Sequence, residues 1–388
     1  MHQSIASGAA ARPIRVLVVD DSVVIRRLVT DVLSADADIE VVGTAVNGRM
    51  AQAKIAQLQP DLVTMDIEMP EMDGISAVKA LRVTHPRLPV IMFSTLTAPG
   101  ASAALEALAA GATDYVTKPA NVGSVSESMA SVRDQLVPRV RALCGRGAGP
   151  SVAARPGAAP GVPGASASVA ARPAVAHVAA PPAPRTAPSG TPRVLAIGCS
   201  TGGPQALTSV LQALPATFPL PIVVVQHMPP VFTQQFAMRL DRTCALSVHE
   251  SAGGEVLRPG HVFIAPGNFH LVLNPRGNDI VTQLHQGPQV SFCRPSVDVL
   301  FDSVAGVYRG DVLSVVLTGM GSDGRDGADK IRRAGGTVIV QDEQTSVVWG
   351  MPGAIAAAGL ADQILPLPEI ADALQRATSR GTAPLARR

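Results

Sequence analysis

Three stretches of the carboxy-terminal half end apolar runs in residues able to do acyl-transfer chemistry. VLAIGCSTGGP (194–204) places Ser200 in a glycine-rich turn, PIVVVQH (221–227) ends on His227, and VLSVVLTGMGSDG (312–324) carries Asp323 in a second glycine-rich turn. A serine hydroxyl is a weak nucleophile until a base takes its proton and a carboxylate orients that base and stabilises its positive form. One hydroxyl, one imidazole and one carboxylate, each just past a strand, supply that set. GCSTG also fits the G-x-S-x-G pattern of a nucleophile elbow, although the chain order Ser, His, Asp departs from the Ser, Asp, His order of α/β-hydrolases. A Walker phosphate loop needs Lys followed by Ser or Thr after its last glycine, and here Pro204 and Gln205 follow Gly203. Each residue also has a plain structural reading, His227 as a strand-end histidine and Asp323 as the cap of the helix DGADKIRRA. Their common placement favours chemistry. Cys199 is a conceivable rival nucleophile, but consecutive residues in a turn point in different directions.

Strand ends of the amino-terminal half carry a different set. VLVVDD supplies Asp20 and Asp21, LVTMD supplies Asp66, PVIMFS supplies Ser94 and ATDYVTK supplies Lys118. Three carboxylates at one edge make an oxygen cluster of the kind a hard divalent cation such as magnesium prefers, and such an ion could hold a phosphoryl group against Asp66. Lys118 could pair with that phosphate. Taken singly, Asp21 and Ser22 could be an N-cap, and Asp73 with Gly74 a turn.

The elements that must position these residues follow from periodicity. Between Pro13 and Leu143, five apolar runs alternate with amphipathic stretches, the last helix starting near Val122, which predicts an open parallel sheet with helices on both faces. The alternation resumes with VLAIG and PIVVVQH; HVFIAPGNFHLVLN reads as a hairpin. Between these halves, residues 145–192 are almost entirely Ala, Pro, Gly, Val, Ser and Arg, too little side-chain surface to offset chain entropy. The expected fold is α/β: two doubly wound parallel-sheet domains, one five-stranded and one larger with a β-hairpin, joined by a flexible linker.

Bulk properties exclude some partners. A net charge of +2 with 16% charged residues gives no electrostatic case for nucleic acid or an anionic membrane surface. Four scattered cysteines without a CxxC pair suggest neither a zinc framework nor disulfides and suit a reducing compartment. With no signal-peptide order and no run of about 18 apolar residues, the expectation is a cytoplasmic protein without direct membrane insertion.

VVDDS, MDIEMPEMDG, FST and TKP resemble the receiver domain of two-component response regulators. The resemblance implies a receiver at 13–137 in which Asp66 accepts a phosphoryl group from a chemotaxis histidine kinase. Asp20 and Asp21, with Asp66, would hold Mg2+; Ser94 would be the switch hydroxyl and Lys118 the accompanying lysine. GCSTGGP, VVVQHM, IAPGNFHLVL, RPSVDVLFDSVA, LTGMGSDG and VVWGMPGAI resemble, in order, the catalytic domain of chemotaxis protein-glutamate methylesterases. For residues 193–378 this implies hydrolysis of glutamate methyl esters on methyl-accepting chemoreceptors, releasing methanol, and deamidation of receptor glutamines, with no cofactor in the esterase step. Ser200 then matches the nucleophile, His227 the general base and Asp323 the orienting carboxylate. Thr201 and Met320 match adjacent positions, the Met320 amide being a candidate oxyanion donor. Cys199 stands where the family more usually has Ala. Two alternatives stay open: a phosphorylation-controlled binding module without turnover, and a serine esterase of a non-chemotactic two-component pathway.

Overall fold

Runs such as VLVV, VIMF and IVVV are apolar at consecutive positions, which suits strands covered on both faces. The structure, a computed structural model, describes residues 12–119, 124–145 and 191–379. Apart from its ends, the linker read at 145–192 lies outside the described residues. The first sheet contains β1 (Ile14–Val19), β2 (Ile39–Ala45), β3 (Leu62–Asp66), β4 (Val90–Ser94) and β5 (Asp114–Thr117). Its order is β2-β1-β3-β4-β5 with every pair parallel. The helices are α1 (Val23–Ser34), α2 (Gly48–Leu58), α3 (Gly74–Thr84), α4 (Ala98–Ala109) and α5 (Val125–Leu143). All five start on a side-chain cap, from Ser22, Asn47, Asp73, Thr97 and Ser124. The N-cap reading of Ser22 therefore holds, whereas Asp73 and Gly74, read as a turn, are the N-cap and first residue of α3; each such cap contributes about 1 kcal/mol.

The second unit comprises β6 (Val194–Cys199), α6 (Gly203–Gln212), β7 (Ile222–Gln226), α7 (Phe232–Thr243), β8 (Ser247–Glu250), β9 (His261–Ile264), β10 (His270–Arg276) and β11 (Asp279–His285). There follow α8 (Val297–Tyr308), β12 (Val312–Val316), α9 (Arg325–Arg333), β13 (Thr337–Gln341), α10 (Met351–Ala357), β14 (Gln363–Leu365) and α11 (Leu367–Ser379). Seven strands pair in parallel in the order β14-β13-β12-β6-β7-β9-β8. The hairpin expected over HVFIAPGNFHLVLN is corrected: β9 belongs to the main sheet, and β10 pairs antiparallel with β11 instead. The physical reason lies in the turns. Gly277-Asn278 is a two-residue loop of hairpin type, with Gly277 at φ 62°, whereas Pro266 to Phe269 lead the chain out of the sheet.

Helix α8 lies unusually close to β6. A Cβ at Gly198 would stand 2.4 Å from Val297 Cγ1, so only glycine admits this approach. The contact brings the amino terminus of α8 beneath the turn that follows β12. The two units also share apolar packing: Leu105, Leu108 and Tyr115 of the first join one cluster with Leu207, Phe232 and Phe236 of the second. Within it the Tyr115 and Phe232 rings stack at 4.6 Å and 5°.

Candidate active site

The residue pair Cys199 and Gln226 is in register across β6 and β7, so the next residues, Ser200 and His227, leave the same edge of the sheet. β12 flanks β6 on its other side. Ser200 therefore sits where the strand order reverses, beyond the carboxyl ends of the strands, the usual crevice of an open α/β sheet. Its backbone is held by three bonds: its amide donates to the Thr318 carbonyl at 3.1 Å, and its carbonyl accepts from the Gly203 amide at 2.7 Å and from Gln226 Nε2 at 3.0 Å.

Asp323 is the most heavily bonded group of the site. Its Oδ2 accepts from His227 Nε2 at 2.8 Å and from the Val297 amide at 2.7 Å; its Oδ1 accepts from Ser296 Oγ at 2.8 Å and the Asp298 amide at 3.0 Å. The carboxylate thus caps α8, and α9, the helix it was a candidate to cap, starts from Gly324 instead. Burial alone would push Asp323 upward, but His227 and the two amides outweigh it and hold the carboxyl at about 2. For His227, burial opposes charge, yet Asp323 and then Cys293 raise the imidazole well above its ordinary value. A carboxylate on Nε2–H fixes the tautomer in which Nδ1 carries the lone pair. Nδ1 faces Cys293 Sγ at 3.6 Å. The structure brings His227 and Asp323 together directly; the Ser200 hydroxyl has no hydrogen-bond partner among the described residues and stands one strand away.

The amides of Thr201 and Met320 likewise have no partner among the described residues, which leaves both N–H groups free to hold an oxyanion. The Thr201 hydroxyl points elsewhere, donating to Asp114 Oδ2 of the first unit at 3.0 Å. Cys199 is buried, its thiol raised by that burial, with Sγ turned toward the Val225 carbonyl at 3.8 Å. It cannot reach a substrate. Ser296, Thr318, Gln341 and Cys293 escaped sequence reading. Gln341 Oε1 accepts from the Thr318 amide at 2.8 Å, and Thr318 Oγ1 donates to the Thr201 carbonyl at 2.9 Å, so the two turns are cross-linked. Ser296 carried a signal, a cap-type residue just before α8; nothing in the sequence marked Cys293.

At the edge of the first sheet, Asp20, Asp21 and Asp66 have carboxylate oxygens within 4.8 Å of one another. Lys118 Nζ lies 2.7 Å from Asp66 Oδ2 and 3.3 Å from Asp20 Oδ2. Burial and then Asp20 push Asp66 up to about 6 against the pull of Lys118. Asp20 Oδ2 is buried with the Lys118 ammonium at 3.3 Å but makes no well-formed hydrogen bond, so this cluster of carboxylate oxygens keeps lone pairs of the kind a hard cation takes. Ser94 lines the same cavity of about 210 Å3 with Asp66 and Lys118, its hydroxyl donating to the Gly100 carbonyl at 2.7 Å.

Residues 195–374 match the family described as CheB methylesterase, and residues 16–130 the response regulator receiver domain. The chain is 54% identical over 367 residues to a protein-glutamate methylesterase/protein-glutamine glutaminase of Nocardioides sp. (strain ATCC BAA-499 / JS614), covering 95% of this chain and 96% of that one. A protein of the same description from Trichodesmium erythraeum (strain IMS101) is 47% identical, with 93% and 98% covered. Among solved structures, the Thermotoga maritima CheB methylesterase catalytic domain is 45% identical, covering 48% of this chain and 99% of that one, with a TM-score of 0.47.

Proposed function

The chain belongs to the protein-glutamate methylesterase/protein-glutamine glutaminase family, and we propose that Ser200, His227 and Asp323 carry out its hydrolysis of glutamate methyl esters on chemoreceptor helices. The Asp323–His227 pair beside the Ser200 turn, its carboxylate buried and its imidazole partly covered, is the observation that supports this reading. Ser200 Oγ attacks the ester carbonyl as its proton passes to His227 Nδ1, and Asp323 stabilises the imidazolium that forms. The Thr201 and Met320 amides hold the oxyanion; one such donor is worth about 3 kcal/mol of transition-state stabilisation. Methanol leaves with the proton from His227, and water then cleaves the acyl-enzyme by the same route. A receptor glutamine would follow the same path with ammonia as the leaving group. No cofactor enters these steps.

The organisation we assign is a receiver at 13–137, a linker at 145–192 and a catalytic unit at 193–378. Asp66 is the proposed phosphoacceptor, supplied by the chemotaxis histidine kinase. Asp20, Asp21 and Asp66 would hold magnesium, which when bound supplies neutralisation of the phosphoryl charge. Lys118 pairs with the phosphate and Ser94 reports it. No described helix is long and apolar enough to cross a membrane; we place the reaction in the cytoplasm, where the receptor helices lie. The Thr201–Asp114 bond covers the nucleophile turn, which supports a receiver that restrains the unphosphorylated enzyme.

Methanol release from a methylated receptor fragment tests the assignment. Ser200→Ala should fall to the uncatalysed background, whereas Asp66→Asn should keep the basal rate and lose stimulation by a small phosphodonor. Full activity in Ser200→Ala would overturn the nucleophile.

A further inference from the structure

His227 Nδ1 and Cys293 Sγ, 3.6 Å apart, have a separation with a specific chemical meaning. A tetrahedral zinc ion with Zn–N of about 2.05 Å and Zn–S of about 2.3 Å sets its nitrogen and sulfur ligands about 3.6 Å apart. The two side chains already stand at that bite. On the far side of the ring, Nε2–H is donated to Asp323 Oδ2 at 2.8 Å. A carboxylate on the second ring nitrogen is the partner that a metal-ligating histidine ordinarily has, because it fixes the tautomer and raises the ligand's basicity. Asp323 is itself immobilised by Ser296 Oγ and the Val297 and Asp298 amides, so the ring cannot swing. His227, Cys293 and Asp323 have ligand atoms mutually within 4.8 Å, and His227 and Cys293 are only partly covered, which leaves the pair open to an ion from solvent.

We infer that His227 and Cys293 form a binding site for a thiophilic divalent cation of the Zn2+ class, whose occupancy switches off the esterase. Binding takes the Nδ1 lone pair and the thiolate, releases the thiol proton to solvent, and leaves the remaining positions of the ion to water. No electron is transferred. Because that lone pair is the one assigned to accept the Ser200 proton, a bound ion removes the base without disturbing the fold. A hard magnesium ion, of the kind the carboxylate cluster would hold, has little affinity for such a nitrogen and sulfur pair, so the two sites would sort cations by softness. The inhibition rests on the base assigned to His227; the binding does not.

The test uses the full chain and Zn2+ itself. Zn2+ should slow alkylation of Cys293 by iodoacetamide at least fivefold, read by peptide mass spectrometry, and Mg2+ at the same concentration should not. Co2+ should give a near-ultraviolet thiolate charge-transfer band that Cys293→Ser lacks. The Zn2+ concentration that halves methanol release, scaled to each variant's own metal-free rate, should rise at least tenfold in Cys293→Ser. Equal alkylation with and without Zn2+ would overturn the site even if Ser200-dependent turnover stands. Protection of Cys293 without loss of turnover would keep the site and overturn His227 as the base.

Discussion

His270 shows how far the support of a single carboxylate extends. Buried at 1% exposure, it accepts from the Ser296 amide through Nδ1 at 3.2 Å and donates to the Pro288 carbonyl from Nε2 at 3.0 Å. Only the neutral ring can make both bonds, and burial holds its pKa below the ordinary 6.5. The unfolded chain therefore takes up this proton more readily than the folded one. The resulting stability is complete above the unfolded value and is lost as pH falls through it. Thermal unfolding should show a lower Tm at pH 5.5 than at 7.5. His270→Asn, which keeps an acceptor toward Ser296, should lose part of that pH difference; parallel curves for the two proteins would refute the role. Asp323→Asn has a larger expected consequence, a fall in kcat on the order of 10^3 to 10^4, because an amide neither fixes the tautomer nor stabilises the imidazolium. The placement of Ser200, His227 and Asp323 just past strands of one sheet was legible in the sequence, since each follows an apolar run. The helix Asp323 caps was not, because Val297 lies 26 positions upstream and the pairing exists only once α8 has packed on Gly198.

Among the elements, the turn after β12 is held on several sides. The Gly319 carbonyl accepts from the Gly350 and Met351 amides at 3.1 and 2.8 Å, and its amide donates to the Val348 carbonyl at 3.0 Å. A Cβ there would meet Met351 Sδ at 2.4 Å and Ser200 Cβ at 2.9 Å. Gly319→Ala should destabilise by about 1–3 kcal/mol through overpacking, and should cut turnover at least tenfold because Ser200 has to move. Gly306 provides the contrast. It is exposed within α8, and a Cβ there meets nothing within 4 Å, so Gly306→Ala should stabilise by about 0.5–1 kcal/mol and leave turnover unchanged. Denaturant midpoints and methanol release, measured together, check both. Element types were readable from hydrophobic period, because doubly covered strands leave unbroken apolar runs. The hairpin was misplaced for a related reason: HVFI and HLVL look alike as runs, and only the turn chemistry at Gly277-Asn278 distinguishes the pairing.

For the whole molecule, sequence indicated two units but not how they touch, since the contacts join residues about 90 positions apart through ordinary polar side chains. Gln205 Nε2 on α6 donates to the Leu108 carbonyl at 3.2 Å and the Ala112 carbonyl at 2.8 Å, at the carboxyl end of α4. The amino end of α4 is tied to the phosphorylation cavity, where Ser94 Oγ donates to the Gly100 carbonyl at 2.7 Å. A 12-residue helix of about 18 Å thus joins the proposed switch hydroxyl to the Gln205 bonds between the two units. Drawing Ser94 toward a phosphoryl group on Asp66 would release one end of that helix and loosen the other. On the proposal that the receiver restrains the unphosphorylated enzyme, Gln205→Ala removes two hydrogen bonds of the restraining contact, on the order of 1–2 kcal/mol together, which is a factor of about 5–30 in the ratio of open to closed forms. Basal methanol release should rise by up to that factor, and by the same factor in an Asp66→Asn background, because the latch lies downstream of phosphorylation. Ser94→Ala should keep the latch and the basal rate while losing most of the stimulation by phosphodonor. A Gln205→Ala chain with an unchanged basal rate and undiminished stimulation would mean that α4 does not transmit the signal through this contact.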